Sequence, residues 1–286
     1  MKIFSTQLTE RRTFGHVSRV DLSIPKQQGK SMNKRYMLRG IAAFALFSAL
    51  ATSASAQDLK IATEGTYAPW SFVDQSGKLT GWDVDIANAL CDEMKVKCEI
   101  VAQEWDGIIP GLNAKKYDMI VASMGVTEKR KQQVAFSKKY KNTSSQFVAP
   151  KGSITDTSPA GMAGKRIGVQ RGSIQDNFLT ETYKDSEIVR YDKTTDVELD
   201  LMSGRVDALL ANKVTSMLGF LTKPEAANLE LVGEEYSGGL LGEGNAIALR
   251  KEDTELLNKV NAALDAIIAN GKYEEVTKKY FNFKLL

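Results

Sequence analysis

Residues 112–122 read LNAKKYDMIVA, and residues 201–211 read LMSGRVDALLA. In both segments a leucine, a basic residue, an aspartate and an alanine stand at the same offsets. Both patterns predict the end of a helix, a turn and a buried strand. Two related lobes, each with strands and helices in alternation, would produce such a repeat. Chance similarity between two ordinary helix–strand joints is the alternative that one repeat leaves open.

The segments around this repeat continue the alternation. Apolar runs predict strands at 59–63, 98–102, 118–122, 165–169, 188–191 and 206–210, and helical spacing predicts helices at 82–94, 106–113, 174–183, 196–203, 253–269 and 273–280. Residues 67–80 are predicted to be loop, because they contain proline, glycine and polar residues. The alternation is typical of α/β folds with mainly parallel sheets. Segments 141–145 and 237–245 are predicted to cross between lobes as hinges.

The first 56 residues have the character of a leader that is removed. From Met32 the chain shows a basic start, an apolar run at 41–50 and the small-residue pattern ASA ending at Ala56, which is the order of a secretory signal peptide. The apolar run is shorter than the ~20 residues that span a bilayer. We therefore predict export to the periplasm with cleavage near Ala56. Residues 1–31 are either a mis-assigned start or a long basic leader.

Removal of the leader changes the charge of the chain. The leader holds nine of the 38 basic and two of the 35 acidic side chains, so the remaining 230 residues carry a formal charge of −4 instead of +3. The basic excess therefore gives no indication of nucleic-acid binding. The single histidine, His16, leaves with the leader, and we expect no metal and no cofactor. The two cysteines, Cys91 and Cys98, suggest one disulfide in an exported protein, with two separate buried thiols as the alternative.

A first candidate binding segment is VASMGVTEKR at 121–130. Ala122 would end a strand and place Ser123 and Gly125 at its carboxyl end, where open α/β sheets bind ligands. Arg130 would follow in the first helical turn, where a guanidinium can hold a carboxylate by two parallel hydrogen bonds. Taken alone, these residues favour the solvated start of a helix.

A second candidate segment is GVQRGSIQD at 168–176, in which a strand is predicted to lead through a turn into a helix. The free N–H groups at the start of such a helix favour an anion. The candidate residues of this segment are Gln170, Ser173, Ile174 and Gln175. The pattern GxxxxGK[ST] is missing here, so nucleotide binding is not supported. An ordinary turn between strand and helix is the alternative.

A third candidate group is aromatic and acidic. Tyr67, Trp70 and Trp105 could form the walls of a pocket around an apolar stem or a cation. Glu64 directly follows a predicted strand and could pair with a positive group of a ligand. Core packing of the aromatic residues and an exposed glutamate are the alternatives.

In their order along the chain, these segments resemble the periplasmic amino-acid-binding proteins of ABC importers, of the lysine/arginine/ornithine and histidine type. The resemblance covers about 58–286 and rests on ATEGTYAPW, GWDVDIANALC, WDGIIPGL, KYDMIVASMGVTEKR, GKRIGVQRGS, GRVDALLAN, ALRKED and KKYF. It implies two α/β lobes joined by two hinge strands, the Venus flytrap arrangement. Lobe 1 would contain 57–143 plus 243–286, and lobe 2 would contain 144–242. Partners would be an ABC permease and an ATPase in the inner membrane, and we expect a monomer.

The resemblance also implies roles at a ligand. Arg130 would hold the α-carboxylate, with help from backbone N–H groups near Gly125 and Ile174. Ser123 would offer its carbonyl to the α-amino group.

Further implied roles concern the side chain of the ligand. Tyr67 and Trp105 would sandwich it, and Glu64 would face its cationic end. The spacing of Cys91 and Cys98 matches the disulfide of the basic-amino-acid branch.

Two residues depart from the usual pattern of that family. Asn212 stands where relatives usually have an aspartate that pairs with the ligand ammonium, and Gly125 stands where many have serine. We expect Asn212 to weaken pairing with a primary ammonium, and Gly125 to open space beside the carboxylate. Both changes resemble the branch that binds opines, which are amino acids with a bulky N-substituent.

Three functions therefore remain under comparison. The first is capture of a cationic amino acid for import, and the second is the same role for an octopine- or nopaline-like conjugate. The third is an enzyme related to cyclohexadienyl dehydratases of the same fold. We expect no enzymatic activity, because the mature chain lacks histidine and a nucleophile–base pattern.

Overall fold

A computed structural model describes residues 58–142 and 144–286 of the chain. The predicted leader and its cleavage site near Ala56 lie outside the described residues, as does Thr143 in the first predicted crossing. Within the described residues, every helix is too short or too polar to cross a membrane.

The described chain alternates strands and helices. The strands are β1 (Leu59–Thr63), β2 (Thr66–Tyr67), β3 (Ser71–Val73), β4 (Leu79–Thr80), β5 (Cys98–Ala102), β6 (Met119–Ile120), β7 (Ala135–Lys141), β8 (Ser145–Pro150), β9 (Arg166–Gln170), β10 (Glu187–Tyr191), β11 (Ala208–Asn212), β12 (Leu229–Tyr236) and β13 (Asn245–Leu249). The α-helices are α1 (Trp82–Met94), α2 (Trp105–Asn113), α3 (Glu128–Lys131), α4 (Ile174–Thr182), α5 (Thr194–Met202), α6 (Thr254–Ala269) and α7 (Lys272–Lys278). A π-helical segment covers Thr215–Phe220, and 3₁₀ turns cover Pro224–Ala226 and Gly239–Leu241.

The two five-stranded sheets have equivalent arrangements of strands, although the strands follow one another differently along the chain. The first sheet runs β5-β1-β6-β13-β7, and the second runs β10-β9-β11-β8-β12. In each sheet three parallel strands are followed by antiparallel ones. The chain passes from the first sheet to the second through 142–144 and returns through 237–244. This is the two-lobed α/β fold that the sequence predicts, and we use lobe 1 and lobe 2 for the first and second sheets with their helices.

The repeated segments have the same structural role in both lobes. Asp118 accepts a hydrogen bond at 2.9 Å from the backbone N–H of Lys60 in β1, and Asp207 accepts one at 2.8 Å from that of Arg166 in β9. Each aspartate also pairs with an arginine, Asp118 with Arg250 at 3.2 Å and Asp207 with Arg166 at 2.7 Å. Each aspartate therefore satisfies a donor at the start of the central parallel strand. The repeated sequence therefore reflects the same hydrogen-bonding role of an aspartate in both lobes.

Core side chains alternate between the two faces of each sheet. In β1, Ile61 belongs to the core cluster under α1, α6 and α7, whereas Ala62 belongs to the cluster with α2. In β11 of lobe 2, Leu210 and Leu209 divide in the same way. Because both faces are covered, these strands read as nearly continuous apolar runs, which is why the sequence predicts them well.

The prediction of loop for residues 67–80 is wrong. β2, β3 and β4 form a small antiparallel sheet there. These strands have two or three residues each, which is too short for a visible alternation of apolar and polar side chains. The sequence also misses β7, β8, β12 and β13. Of these, β7 and β12 are edge strands with exposed lysine and glutamate side chains.

The end of the described chain is fixed in lobe 1. Phe281 and Leu285 belong to the core cluster under α1, α6 and α7. The carbonyl of Leu285 accepts a hydrogen bond at 2.8 Å from the backbone N–H of Asn142, in the first crossing. The crossing is therefore held at its lobe 1 end by the carboxyl-terminal residues.

The disulfide prediction is confirmed, since Cys91 and Cys98 are bonded to each other. The bond joins the last turn of α1 to the first residue of β5. Between them, Lys95 adopts the left-handed conformation, with φ 57°, and ends the helix. The disulfide therefore closes a short helix–strand connection in lobe 1.

We expect that replacing both cysteines with serine lowers the free energy of unfolding by about 2–3 kcal/mol. The reason is that the bond restricts the unfolded chain across a separation of seven residues. Urea unfolding of the protein measures the effect. Reduction of the unaltered protein is the matched control and should give the same loss. An unchanged free energy of unfolding would contradict the prediction.

Candidate functional site

A small cavity of about 30 Å³ lies between the two lobes. The parallel strands of both sheets end beside it, which is where open α/β sheets place ligands. Its lining residues are Glu64, Tyr67, Trp105, Ala122, Ser123, Gly125, Arg130, Ser145, Gln170, Ser173, Ile174, Gln175, Asn212, Leu241 and Asn245. The cavity thus brings together every predicted binding residue except Trp70. Their roles toward a ligand stay predictions.

The expectation that Trp70 forms a pocket wall is wrong. Its side chain is fully buried, and its ring centroid lies 5.6 Å from that of Trp82 and 5.0 Å from that of Phe281. Its indole N–H donates a hydrogen bond at 3.0 Å to the hydroxyl of Thr215 in lobe 2. Trp70 therefore packs in the core of lobe 1 and contacts lobe 2 through its edge.

Three lining residues were missed by the sequence analysis, namely Ser145, Leu241 and Asn245. All three belong to the segments predicted to cross between lobes. The hydroxyl of Ser145 accepts a hydrogen bond at 2.9 Å from the side-chain amide of Gln175, and Asn245 Nδ2 donates one at 2.5 Å to the carbonyl of Ser123. The prediction that these segments cross between the lobes could have indicated them, because a segment that joins two lobes lies beside the cleft between them.

Arg130 is held at the cavity by the start of α3. Thr127 caps this helix, and its hydroxyl accepts a hydrogen bond at 3.3 Å from the backbone N–H of Arg130. The guanidinium donates to the carbonyl of Gly125 at 2.9 Å and to that of Gly172, in lobe 2, at 3.2 Å. Its Cζ lies 5.1 Å from the ring centroid of Trp105. Because both hydrogen-bond partners are neutral and a guanidinium has five N–H donors, this group can still take a carboxylate.

Burial lowers the pKa of Arg130 to about 10, so the side chain stays charged at neutral pH. The cavity therefore contains a permanent positive charge that is only 7% exposed.

Glu64 supplies the acid of the cavity and follows β1 directly. Its carboxylate accepts hydrogen bonds from the side-chain amide of Gln170, in lobe 2, at 2.5 Å and from the hydroxyl of Thr66 at 3.3 Å. Burial raises the pKa of Glu64 to about 7, although both hydrogen bonds favour the ionised form. A cation bound beside it would lower that pKa again.

Asn212 ends β11 and points its amide oxygen at the backbone. Its Oδ1 accepts hydrogen bonds from the N–H groups of Val214 at 3.0 Å and Thr215 at 3.2 Å. The two backbone donors require an acceptor, so they fix the orientation of the amide. Nδ2 is then the atom that Asn212 can offer to a ligand, and it is a hydrogen-bond donor. This arrangement suits a ligand carboxylate or carbonyl better than an ammonium group.

The structure corrects the expectation that Gly125 opens space for a ligand. A Cβ atom built on Gly125 would lie 3.0 Å from Cδ1 and 3.2 Å from Cγ2 of Ile174. The space that the missing side chain leaves is therefore filled by Ile174 of lobe 2. Gly125 allows the two lobes to approach closely beside Arg130.

The predicted anion-binding turn also lies at the cavity. Ser173 caps α4, and its hydroxyl accepts a hydrogen bond at 3.0 Å from the backbone N–H of Asp176. Gly172 has φ 67° and donates its N–H to the carboxylate of Asp176 at 2.9 Å. The helix thus begins at Ile174 with its positive dipole end beside the cavity.

Comparison with known proteins agrees with this geometry. Residues 59–283 match the family model of bacterial extracellular solute-binding proteins, family 3. The chain is 42% identical over 253 residues to the L-arginine-binding protein of Pseudomonas aeruginosa, covering 87% of this chain and 97% of the relative. It is 40% identical over 245 residues to the octopine-binding periplasmic protein of Rhizobium meliloti, covering 77% and 82%.

Among solved structures, an ancestral arginine-binding protein bound to arginine matches with a TM-score of 0.74 and 35% identity, over 79% of this chain and 98% of that chain. The chain belongs to the bacterial extracellular solute-binding proteins of family 3.

Proposed function

We propose that this chain is the extracytoplasmic substrate-binding component of an ABC importer for cationic amino acids of the arginine, ornithine, lysine and histidine class. The observation that carries the proposal is a cavity lined by one buried guanidinium, Arg130, and one buried carboxyl, Glu64. The α-carboxylate of the ligand pairs with Arg130, and its cationic end pairs with Glu64. Tyr67 and Trp105 flank the aliphatic stem between these ends.

The same charged residues connect ligand binding to closure of the lobes. Glu64 and Arg130 belong to lobe 1, and each bonds to lobe 2, at Gln170 and Gly172. Only the closed arrangement of the lobes lets a ligand pair with both charges and contact lobe 2 at the same time. Binding therefore shifts the population toward closure, which is the state that the permease receives.

The two lobes are proposed to comprise 57–143 plus 243–286 and 144–242. Every strand of the first sheet falls in the first set, and every strand of the second sheet falls in the second set, which supports this division. The octopine-binding relative is named as a periplasmic protein, which supports a periplasmic location, and both relatives are named as binding proteins, which supports a non-enzymatic role. A leader cleaved near Ala56 belongs to the same proposal. A monomer that delivers its ligand to a permease and an ATPase completes the proposal.

An opine-type conjugate is a second candidate, favoured by the donor that Asn212 offers. Arginine has a net charge of +1, and the charges of Glu64 and Arg130 cancel, so bound arginine leaves one buried positive charge unbalanced. Octopine carries a second carboxylate on its N-substituent, which balances that charge and suits Asn212 Nδ2. Ile174 works against this candidate, because it occupies the space beside Gly125.

Titration of the exported chain with L-arginine in a calorimeter is expected to give saturable binding of one ligand. Arg130→Ala should weaken it by about 3 kcal/mol, because the ligand carboxylate then has no charged partner. Arg205→Ala is the matched control, since Arg205 is exposed on lobe 2 and pairs with Asp200. No heat from arginine, ornithine, lysine, histidine, octopine or nopaline, with a folded protein, would remove this ligand class.

The affinity for arginine is expected to depend on the ionisation of Glu64. Its raised pKa of about 7 means that the ionised form is lost as the pH falls through neutrality. Affinity should therefore drop about tenfold between pH values of about 8 and about 6, because the cationic end pairs with the ionised carboxylate. Calorimetry across this range measures the slope. Glu64→Gln should bind more weakly and lose the slope, and an equal slope in both proteins would contradict the assignment.

Asn212→Asp separates the two ligand candidates. A carboxylate at this position keeps an acceptor for Val214 and Thr215 and adds a negative charge at the cavity. The ratio of arginine affinity to octopine affinity should therefore rise at least about tenfold. Competition binding with both ligands measures this ratio in the variant and in the unaltered protein. An unchanged ratio would show that residue 212 does not face the part in which the two ligands differ.

A further inference from the structure

Ser123 lines the cavity with its backbone in the left-handed region, at φ 50°. Non-glycine residues adopt this conformation rarely, and they keep it where the surrounding structure fixes them. The other described non-glycine residues with positive φ, Lys95 and Lys115, follow the ends of α1 and α2, which is an ordinary place for it. Ser123 follows a strand at the candidate site, so its conformation needs a different cause.

Hydrogen bonds to all three polar groups of Ser123 provide that cause. Its hydroxyl donates to Oδ2 of Asp83 at 2.6 Å, and its N–H donates to the hydroxyl of Tyr140 at 3.0 Å. The Tyr140 hydroxyl in turn donates to Oδ1 of Asp83 at 2.7 Å. The Ser123 carbonyl accepts from Asn245 Nδ2. Two of the three contacts therefore lead to one carboxylate.

Asp83 itself is fully buried in the first turn of α1 and is not among the cavity-lining residues. It stands behind the wall that Ser123 forms. An ionised carboxylate in such a place needs hydrogen bonds and a countercharge.

Lys141 supplies that countercharge. It is fully buried, its Nζ lies 3.5 Å from the ring centroid of Trp70, and among the described residues Nζ has no hydrogen-bond partner. Burial raises the pKa of Asp83 and lowers that of Lys141, and each charge acts against this by favouring the ionised form of the other. Lys141 also pairs with Asn245 across β7 and β13, where the chain crosses between lobes.

We propose that Asp83 is a positioning residue for ligand binding that acts through Ser123. It fixes the left-handed backbone at Ser123 and thereby aims the Ser123 carbonyl, which has a second lone pair, at the amine of the ligand. Lys141 is the buried cation that favours the ionised form of this carboxylate. That the Ser123 carbonyl meets an amine rests on the proposed function, whereas the effect of Asp83 on the Ser123 backbone does not depend on it.

Four proteins test this assignment: the unaltered chain, Asp83→Asn, Ser123→Ala and the double variant, each expressed with its own leader and titrated with L-arginine and with octopine. Asp83→Asn should lower the affinity for whichever probe binds by at least about tenfold, because one hydrogen bond to a charged group is lost. In the Ser123→Ala background the same change should have a smaller effect, of less than about threefold, since the direct hydrogen bond from the Ser123 hydroxyl is already lost and only the contact through Tyr140 remains. Asp85→Asn, which removes an equal charge from the same helix turn, is the matched control and should bind normally.

Two binding results would overturn the proposal. One is Asp83→Asn binding as tightly as Asp85→Asn. The other is an undiminished effect of Asp83→Asn in the Ser123→Ala background, which would show a general role in the core. If Asp83→Asn fails to fold, Tyr140→Phe takes its place. This variant removes the hydrogen bonds of the Tyr140 hydroxyl with Ser123 and Asp83 and keeps the charges of Asp83 and Lys141. The same criteria then apply.

A readout without ligand separates this proposal from the proposed function. A crystal structure of Asp83→Asn, or of Tyr140→Phe, is expected to show Ser123 outside the left-handed region. An unchanged φ at Ser123 would overturn the positioning role even if arginine binds. If neither arginine nor octopine binds the unaltered chain, the proposed ligand class fails and the backbone result still decides the role of Asp83.

Discussion

Buried charges that lack full partners are the constraint on which this structure depends. Arg130 and Glu64 lie in a cavity closed by the second lobe, and there they meet a carbonyl and an amide, not opposite charges. Burial raises the pKa of Glu64 to about 7, because the dipoles around the carboxylate compensate its charge only in part. The closed form is thus incomplete on its own. In the proposed function a solute with a carboxylate and a cation completes it, so that closure and capture become one event.

The repeated α/β architecture places these charges at the cleft between the lobes. Each lobe contains three neighbouring parallel strands. An equivalent aspartate, Asp118 in lobe 1 and Asp207 in lobe 2, accepts a hydrogen bond from the start of the central strand. With the starts fixed, the opposite ends of the strands meet at the cleft. The residues that follow those ends come from segments far apart in the sequence. They become neighbours because the strands before them lie side by side, β1 beside β6 and β9 beside β11.

The sequence predicts the parallel strands, their helices and most of the cavity, because buried apolar runs and the residues after them carry local signals. It fails where the signal depends on packing between segments. Trp70 and Tyr67 are three positions apart in one motif, yet Trp70 enters the core and Tyr67 faces the cavity. The room beside Gly125 is decided by Ile174, a residue of the other lobe. Ser145 and Asn245 are the polar first residues of β8 and β13, and no local periodicity places them at the cavity.

The three tryptophans divide between two environments, with an optical consequence. Trp70 and Trp82 are fully buried in one aromatic cluster of lobe 1, outside the cavity lining, and Trp70 also contacts lobe 2 through Thr215. Trp105 lies in the cavity with the guanidinium of Arg130 against its ring. A carboxylate that neutralises this guanidinium changes the electric field on one indole of the three. In the proposed function the fluorescence of Trp105 therefore reports an occupied cavity, with the emission of Trp82 as the internal reference.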